Sequence, residues 1–196
     1  AILAIFESNG NPLWLRLACE EARRWRSWEK LEHGSEKIKN GIKALPETVP
    51  GMTGRFIKEY LLAQRKHAEI YTSRTLSYIA ASRYGLSEDE IAIALGTDSS
   101  VREEFKKSER TPVTWQNQEV LPPIIWSRLF LDLRPFLTNS YIDGALVYRF
   151  FHREFQDVAA ELTMPKTEHA QIHTHLAQVF SRPDRPDLYK LTDASK

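Results

Sequence analysis

Phe136-Leu137-Thr138-Asn139-Ser140-Tyr141-Ile142-Asp143-Gly144-Ala145-Leu146-Val147-Tyr148-Arg149-Phe150 lies in the C-terminal half of a 196-residue chain. Phe136-Leu137-Thr138 and Ala145 to Phe150 are rich in β-branched and aromatic residues, and they flank Asn139 to Gly144, where Asn, Asp and Gly supply turn chemistry. This spacing predicts a β-hairpin with a glycine-containing loop. Upstream, Leu121-Pro122-Pro123 opens a helix through Ile124, Trp126, Leu129, Phe130 and Leu133 that ends at Pro135. Before it, Ser87-Glu88-Asp89-Glu90 has the serine and the glutamate three positions on that make a capping box, followed by Ile91, Ile93, Ala94 and Leu95 as far as Gly96. A further helix through Leu76, Ile79 and Ala80 closes at Gly85. Downstream, helices are expected over His152–Leu162 and Thr167–Phe180. Three helices, a hairpin and closing helices make the order of a winged-helix domain, placed at 59–180.

Within that domain, residues 97–119 carry Arg102-Glu103-Glu104, Lys106-Lys107 and Glu109-Arg110 and are expected to be a charged insertion. Residues 181–196, with Pro183 and Pro186, are expected to be a linker or tail. The first part of the chain, 1–58, reads as a small all-helical domain. Ala1 to Phe6 forms a helix end stopped at Ser8-Asn9-Gly10-Asn11, and Pro12 opens a helix whose apolar stripe is Leu13, Trp14, Leu17, Ala18, Ala22 and Trp25. Ser35, Ile38, Ile42 and Leu45 suggest a short helix ended by Pro46. Met52, Phe56, Ile57, Tyr60 and Leu61 begin a long one after Pro50-Gly51. The fold class is therefore mainly α, a helical domain followed by a winged helix with one β-hairpin wing. An opening with apolar residues at helical spacing, no Met and no cap reads as a piece of something longer.

Composition narrows the function. Hydrophobic residues make up 42% and charged residues 27%, the profile of a globular protein rather than a disordered one. Lys plus Arg number 27 against 26 Asp plus Glu, for a net charge of +1, which argues against a dedicated nucleic-acid binder. The helix in the DNA-reading position, Ile124 to Arg134, is nearly apolar all round and suits burial against protein. Cys19 is the only cysteine, so no internal disulfide forms and a reduced compartment is expected. The run Ala1 to Phe6 is too short for a signal sequence, and no segment approaches the ~20 apolar residues of a membrane span. A soluble, cytoplasmic protein with no membrane partner is the expectation.

No G-x-x-x-x-G-K-[ST], H-E-x-x-H, C-x-x-C or G-x-S-x-G motif occurs, so no catalytic residue is assigned and tight binding of Mg-ATP by this chain alone is not expected. His169 and His173 lie four apart without a third ligand nearby, and no metal site is assigned. Trp14, Trp25 and Trp28, interleaved with Arg23, Arg24 and Arg26, have the residue types that stack nucleotides, but Trp14 and Trp25 fall on the core stripe and read as core. Gly10-Asn11-Pro12 is explained by turn chemistry alone. His152, flanked by Phe150, Phe151 and Phe155 where strand passes into helix, is either satisfied by a nearby backbone group or a donor aimed at an anion.

Three segments in order carry a likeness: Gly10-Asn11-Pro12-Leu13-Trp14-Leu15, Tyr84-Gly85-Leu86-Ser87-Glu88-Asp89-Glu90-Ile91, and Tyr148-Arg149-Phe150-Phe151-His152-Arg153-Glu154-Phe155-Gln156-Asp157-Val158-Ala159-Ala160. Across nearly the whole chain they resemble the helical and winged-helix domains that follow the P-loop core in NACHT-type STAND signalling NTPases, especially those with WD40 or tetratricopeptide repeats further on. The charged stretch 97–119 departs from that pattern. The resemblance implies that Pro12, in the Gly10-Asn11-Pro12 turn, packs on the adenine of a nucleotide held mainly by the P-loop domain of the same chain. It implies that His152 reaches the β-phosphate of ADP. It further implies ADP or ATP with Mg in the intact parent, a slow ATPase switch, an ADP-bound autoinhibited state, self-association on activation, and downstream repeats as partners. The alternatives are a winged-helix interaction scaffold without a nucleotide role and a DNA-binding winged helix.

Overall fold

The computed structural model describes residues 2, 6–7, 10–24, 45–107, 115, 119–142 and 144–181. It is mainly helical with a small three-stranded antiparallel sheet, the helical plus winged-helix-like fold that the order of elements predicts. The chain divides into two compact units, Ala1–Gln64 and Arg65–Lys196.

In the first unit, α1 (Pro12–Arg24) buries Leu13, Trp14, Leu17 and Ala18 on one face. Trp14 is fully buried, and its indole N–H donates to the Pro46 carbonyl at 2.7 Å, which explains how a tryptophan is tolerated in the core. A second helix, α2 (Val49–Arg55), is capped by Thr48, whose hydroxyl oxygen accepts from the Gly51 N–H. Pro50 and Gly51 thus stand inside the first turn of this helix rather than before it, since Pro needs no hydrogen-bond partner there. The chain then continues as a π-helix, Phe56–Gln64, burying Phe56, Ile57 and Leu61, where an unbroken α-helix was expected. Arg24 pairs with Glu21 and lies over the Phe56 and Tyr60 rings, at 5.0 and 4.2 Å from their centroids. The short helix expected around Ser35, Ile38 and Ile42 lies outside the described residues; Leu45, at its end, is buried.

The second unit is built on α3 (Glu69–Ala81), α4 (Glu88–Thr97), α5 (Ser99–Lys106), α6 (Pro123–Leu133), α7 (Arg153–Thr163) and α8 (His169–Phe180), with strands β1 (Leu86–Ser87), β2 (Leu137–Ile142) and β3 (Ala145–Phe150). The strand order is β1-β3-β2, with Leu86 opposite Tyr148, Leu137 opposite Phe150 and Ile142 opposite Ala145. Two features correct the sequence reading. Asn139 to Ile142 are strand rather than loop, because pairing with Ala145 to Tyr148 overrides the turn preference of Asn139 and Ser140, and Gly144 stands at the turn. Gly144 has φ +80°, which only glycine adopts freely, while Asp143 lies outside the described residues. Sequence reasoning also missed β1, since a two-residue strand has no pattern of its own. Leu133, Phe136, Phe150, Phe155, Leu95, Ile91, Leu76 and Ile79 form the core, with Phe136 and Phe155 stacked 5.2 Å apart.

The expected charged insertion is partly an integral element. Asp98 caps α5 by accepting from the N–H groups of Ser100 and Val101, and Val101 is fully buried. Glu104 on α5 accepts from the N–H groups of Ile70 and Tyr71 at 2.9 and 2.8 Å, satisfying the first turn of α3, whose own N-cap residue Ala68 has no side-chain bond to offer. Tyr71, Phe105 and Trp115 then form a chain of edge-on rings. Residues 108–114, 116–118 and 182–196, including most of the expected tail, lie outside the described residues.

Candidate functional site

Gly10, Asn11 and Pro12 form one compact turn in the first unit. Gly10 has φ +66°, and its N–H donates to the Phe6 carbonyl at 2.7 Å, closing the preceding turn of helix. The Asn11 side-chain oxygen accepts from the Leu13 and Trp14 N–H groups, so Asn11 caps α1 with Pro12 in its first turn. The Pro12 ring is exposed, while Leu13 and Trp14 behind it are buried. A rigid apolar face is thereby presented on an anchored base.

His152 belongs to the second unit, at the junction of β3 and α7. It is the N-cap of α7: its Nδ1 accepts from the Glu154 N–H at 3.2 Å. A neutral imidazole whose Nδ1 accepts carries its hydrogen on Nε2. The exposed ring therefore offers an Nε2–H donor beside the partly positive end of a helix. Its base is firm. The Phe151 N–H donates to the Phe136 carbonyl, Phe155 is fully buried against Phe136 and Phe150, and the Gln156 amide donates to the Ala80 carbonyl at 2.7 Å, tying α7 to the end of α3. The backbone-satisfied and the anion-facing readings of this histidine are compatible, because they use different ring nitrogens.

The other candidates resolve differently. Trp14 is core; Trp25, Trp28 and Arg26 lie outside the described residues, and Arg23 and Arg24 pair with Glu20 and Glu21. His169 faces the Met164 carbonyl at 3.0 Å, and among the described residues no cluster of three His, Cys, Asp or Glu is arranged to hold a metal. The helix α6 buries Trp126, Leu129 and Leu133 but leaves Ile124 at 73% and Leu131 at 63% exposed, so it is not enclosed as an all-apolar helix would be.

Two polar clusters escaped the sequence reading. In one, Asp98 accepts from the Tyr78 hydroxyl and the Arg74 guanidinium, which also reaches Glu168 at 2.7 Å. Burial, reinforced by Asp98, pushes the Tyr78 phenol well above its usual range. These groups satisfy one another. In the other, Asp132 on α6 meets Arg65 and His67; an acid among Leu129, Leu131 and Leu133 was the available signal. Burial lowers the proton affinity of His67 below the usual histidine value of 6.5, against the opposing pull of Asp132.

Comparison with known proteins adds the family context. No family model matches the chain. It is 32% identical over 179 residues, 88% of its length, to the human protein named NACHT domain- and WD repeat-containing protein 1, and 30% identical over the same extent to its mouse counterpart. It is 25% identical over 170 residues to human NACHT and WD repeat domain-containing protein 2. No solved structure matches. The chain's homologues are NACHT- and WD-repeat-containing proteins, and the chain spans about a tenth of their length, 10%, 10% and 9% respectively. Among the described residues no helix is long and apolar enough to cross a membrane.

Proposed function

We propose that this chain is the regulatory helical and winged-helix region of a NACHT-type signalling NTPase, closing over ADP to hold the parent inactive and rearranging on exchange for ATP. The observation that carries the reading is the N-cap geometry of His152, which commits Nδ1 to the Glu154 N–H and leaves Nε2–H for an anion. Pro12, exposed on its capped turn, supplies the apolar face for an adenine. Nucleotide and Mg would be held chiefly by a P-loop domain, with WD repeats elsewhere in the parent, as the names of the relatives suggest, and oligomerisation would follow opening. The parent is then a slow ATPase acting in the cytoplasm, and this region contributes no catalytic residue.

The experiment compares two substitutions in the full-length parent. His152→Leu removes both cap and donor, whereas His152→Asn keeps a strong capping residue and removes the ring donor. A hydrogen bond to a charged phosphate is worth about 1.5–3 kcal/mol, so both variants should lose roughly tenfold or more in ADP affinity and oligomerise more readily. An Asn variant with unaltered ADP affinity reduces His152 to a helix cap and refutes the reading. The interaction-scaffold alternative rests on the exposed Ile124 and Leu131 of α6 and predicts that neither substitution matters. The same two side chains count against a DNA reader, since they offer bases no hydrogen bond.

A further inference from the structure

Arg65, Lys66, His67 and Ala68 join the π-helix ending at Gln64 to α3, which begins at Glu69. They are the opening residues of the second compact unit. Among the described residues Lys66 is the one non-glycine with positive φ, at 53°. Lysine lacks the short polar side chain that lets Asn or Asp stabilise this left-handed conformation locally, so the surroundings must hold it.

Both neighbours of Lys66 are held by one oxygen. The Asp132 carboxylate, 7% exposed, accepts at Oδ2 from Arg65 Nε–H and from His67 Nε2–H, each at 2.7 Å. One turn earlier on α6, the Arg128 guanidinium donates to the Arg65 carbonyl at 2.8 Å, fixing the backbone of the same residue. His67 is almost fully buried, and burial keeps it neutral, so it serves Asp132 as a donor without adding a second full charge beside Arg65.

We propose that Asp132 is a latch on the segment by which the chain enters the second unit. It grips the residues on both sides of Lys66, locks Lys66 in the left-handed conformation, and so sets the direction in which the chain runs into α3. Because both bonds converge on one carboxylate, they are lost together, and Lys66 is released on both sides while Arg128 still holds the Arg65 carbonyl. This role does not depend on whether His152 meets a phosphate.

Trypsin reads the latch directly, since the Arg65–Lys66 and Lys66–His67 bonds both follow basic residues. Brief digestion of the full chain under native conditions should cut these bonds roughly tenfold faster in Asp132→Asn than in the wild type, because cleavage needs local release of the segment. Gly96→Ala, which disturbs the same unit at a distance, serves as the control for general loosening and should leave the ratio of these cuts to others unchanged. A Lys66→Asn change placed in the Asp132→Asn background should slow the Arg65 cut again, since asparagine tolerates the left-handed region. If Asp132→Asn does not fold, the same two tryptic cuts in His67→Phe, which removes one of the two donors and leaves the Arg65 pair, should speed up by about threefold. The latch is overturned by cleavage in Asp132→Asn within about twofold of wild type, by an equal rise in the ratio of these cuts to others in Gly96→Ala, or, where Asp132→Asn does not fold, by unchanged cleavage in His67→Phe.

Discussion

Changing Gly96 to Ala tests whether the arm 119–121, which leads from the charged stretch into α6, packs onto α4. A Cβ at this position would stand 2.1 Å from the Glu119 carbonyl oxygen, 2.7 Å from the Leu121 nitrogen and 2.8 Å from the Glu119 carbonyl carbon. All three are backbone atoms, so no side chain can swing aside, and the arm must move by about an ångström. That motion breaks the hydrogen bond from the Leu121 N–H to the Ala92 carbonyl, now 2.9 Å long, beside a fully buried Leu121. Forcing the arm apart costs about 1–3 kcal/mol and an unsatisfied buried donor about 1–3 kcal/mol more, while alanine returns up to ~1 kcal/mol of helix propensity. The net loss centres near 3 kcal/mol, and at roughly 2–4 °C per kcal/mol in a chain of this size the melting temperature should fall by about 6–12 °C. Gly10→Ala is the contrast: nothing lies within 4 Å of its Cβ, so only the φ of +66° is penalised, at about 1 kcal/mol. Thermal unfolding followed by circular dichroism separates the two. A Gly96→Ala protein melting as high as the wild type would show that the arm does not lie against α4.

Two further outcomes follow from named groups. Ser87→Ala removes one half of the reciprocal cap in which the Ser87 hydroxyl oxygen accepts from the Glu90 N–H and the Glu90 carboxylate accepts from the Ser87 N–H, and chemical denaturation should register a loss of about 1 kcal/mol; a loss within ~0.2 kcal/mol of zero would contradict the cap. Because burial lowers the His67 pKa, the folded state binds fewer protons than the unfolded one as pH falls below 6.5. The contribution of His67 is therefore complete above pH 6.5 and is lost as pH falls from there through its lower folded value. Urea midpoints between neutral and mildly acidic pH should fall less steeply in His67→Gln than in the wild type, and parallel slopes would refute this.

What was legible in the chain was local. The Ser87–Glu90 box, the Pro12 start and the glycine at 144 each act over a few residues, and each stands where the sequence puts it. Structure decided by distant partners was hidden. Leu86 and Ser87 become a strand only because Tyr148 and Val147 lie beside them, and Arg102 to Lys106 looks like solvated loop because one buried Val101 leaves no stripe to see. The same holds at the candidate site. The place of His152 between strand and helix follows from the order of residues, whereas the nitrogen it commits to the Glu154 N–H is a matter of side-chain geometry. Asp132 was passed over inside an apolar helix, since its partners lie 67 and 65 positions away in the chain.

The carboxylate of Glu104 has a kinetic implication. The first turn of α3 is completed by bonds that reach 34 and 33 residues along the chain, so a nascent α3 lacks its N-terminal acceptors until α5 has docked. Closing a loop of that length costs entropy before any contact repays it. Helix α3, central to the second unit, should accordingly mature late and together with α5, and a ribosome-bound chain ending before Glu104 would expose Tyr71 and Leu76 to chaperones rather than to their eventual neighbours.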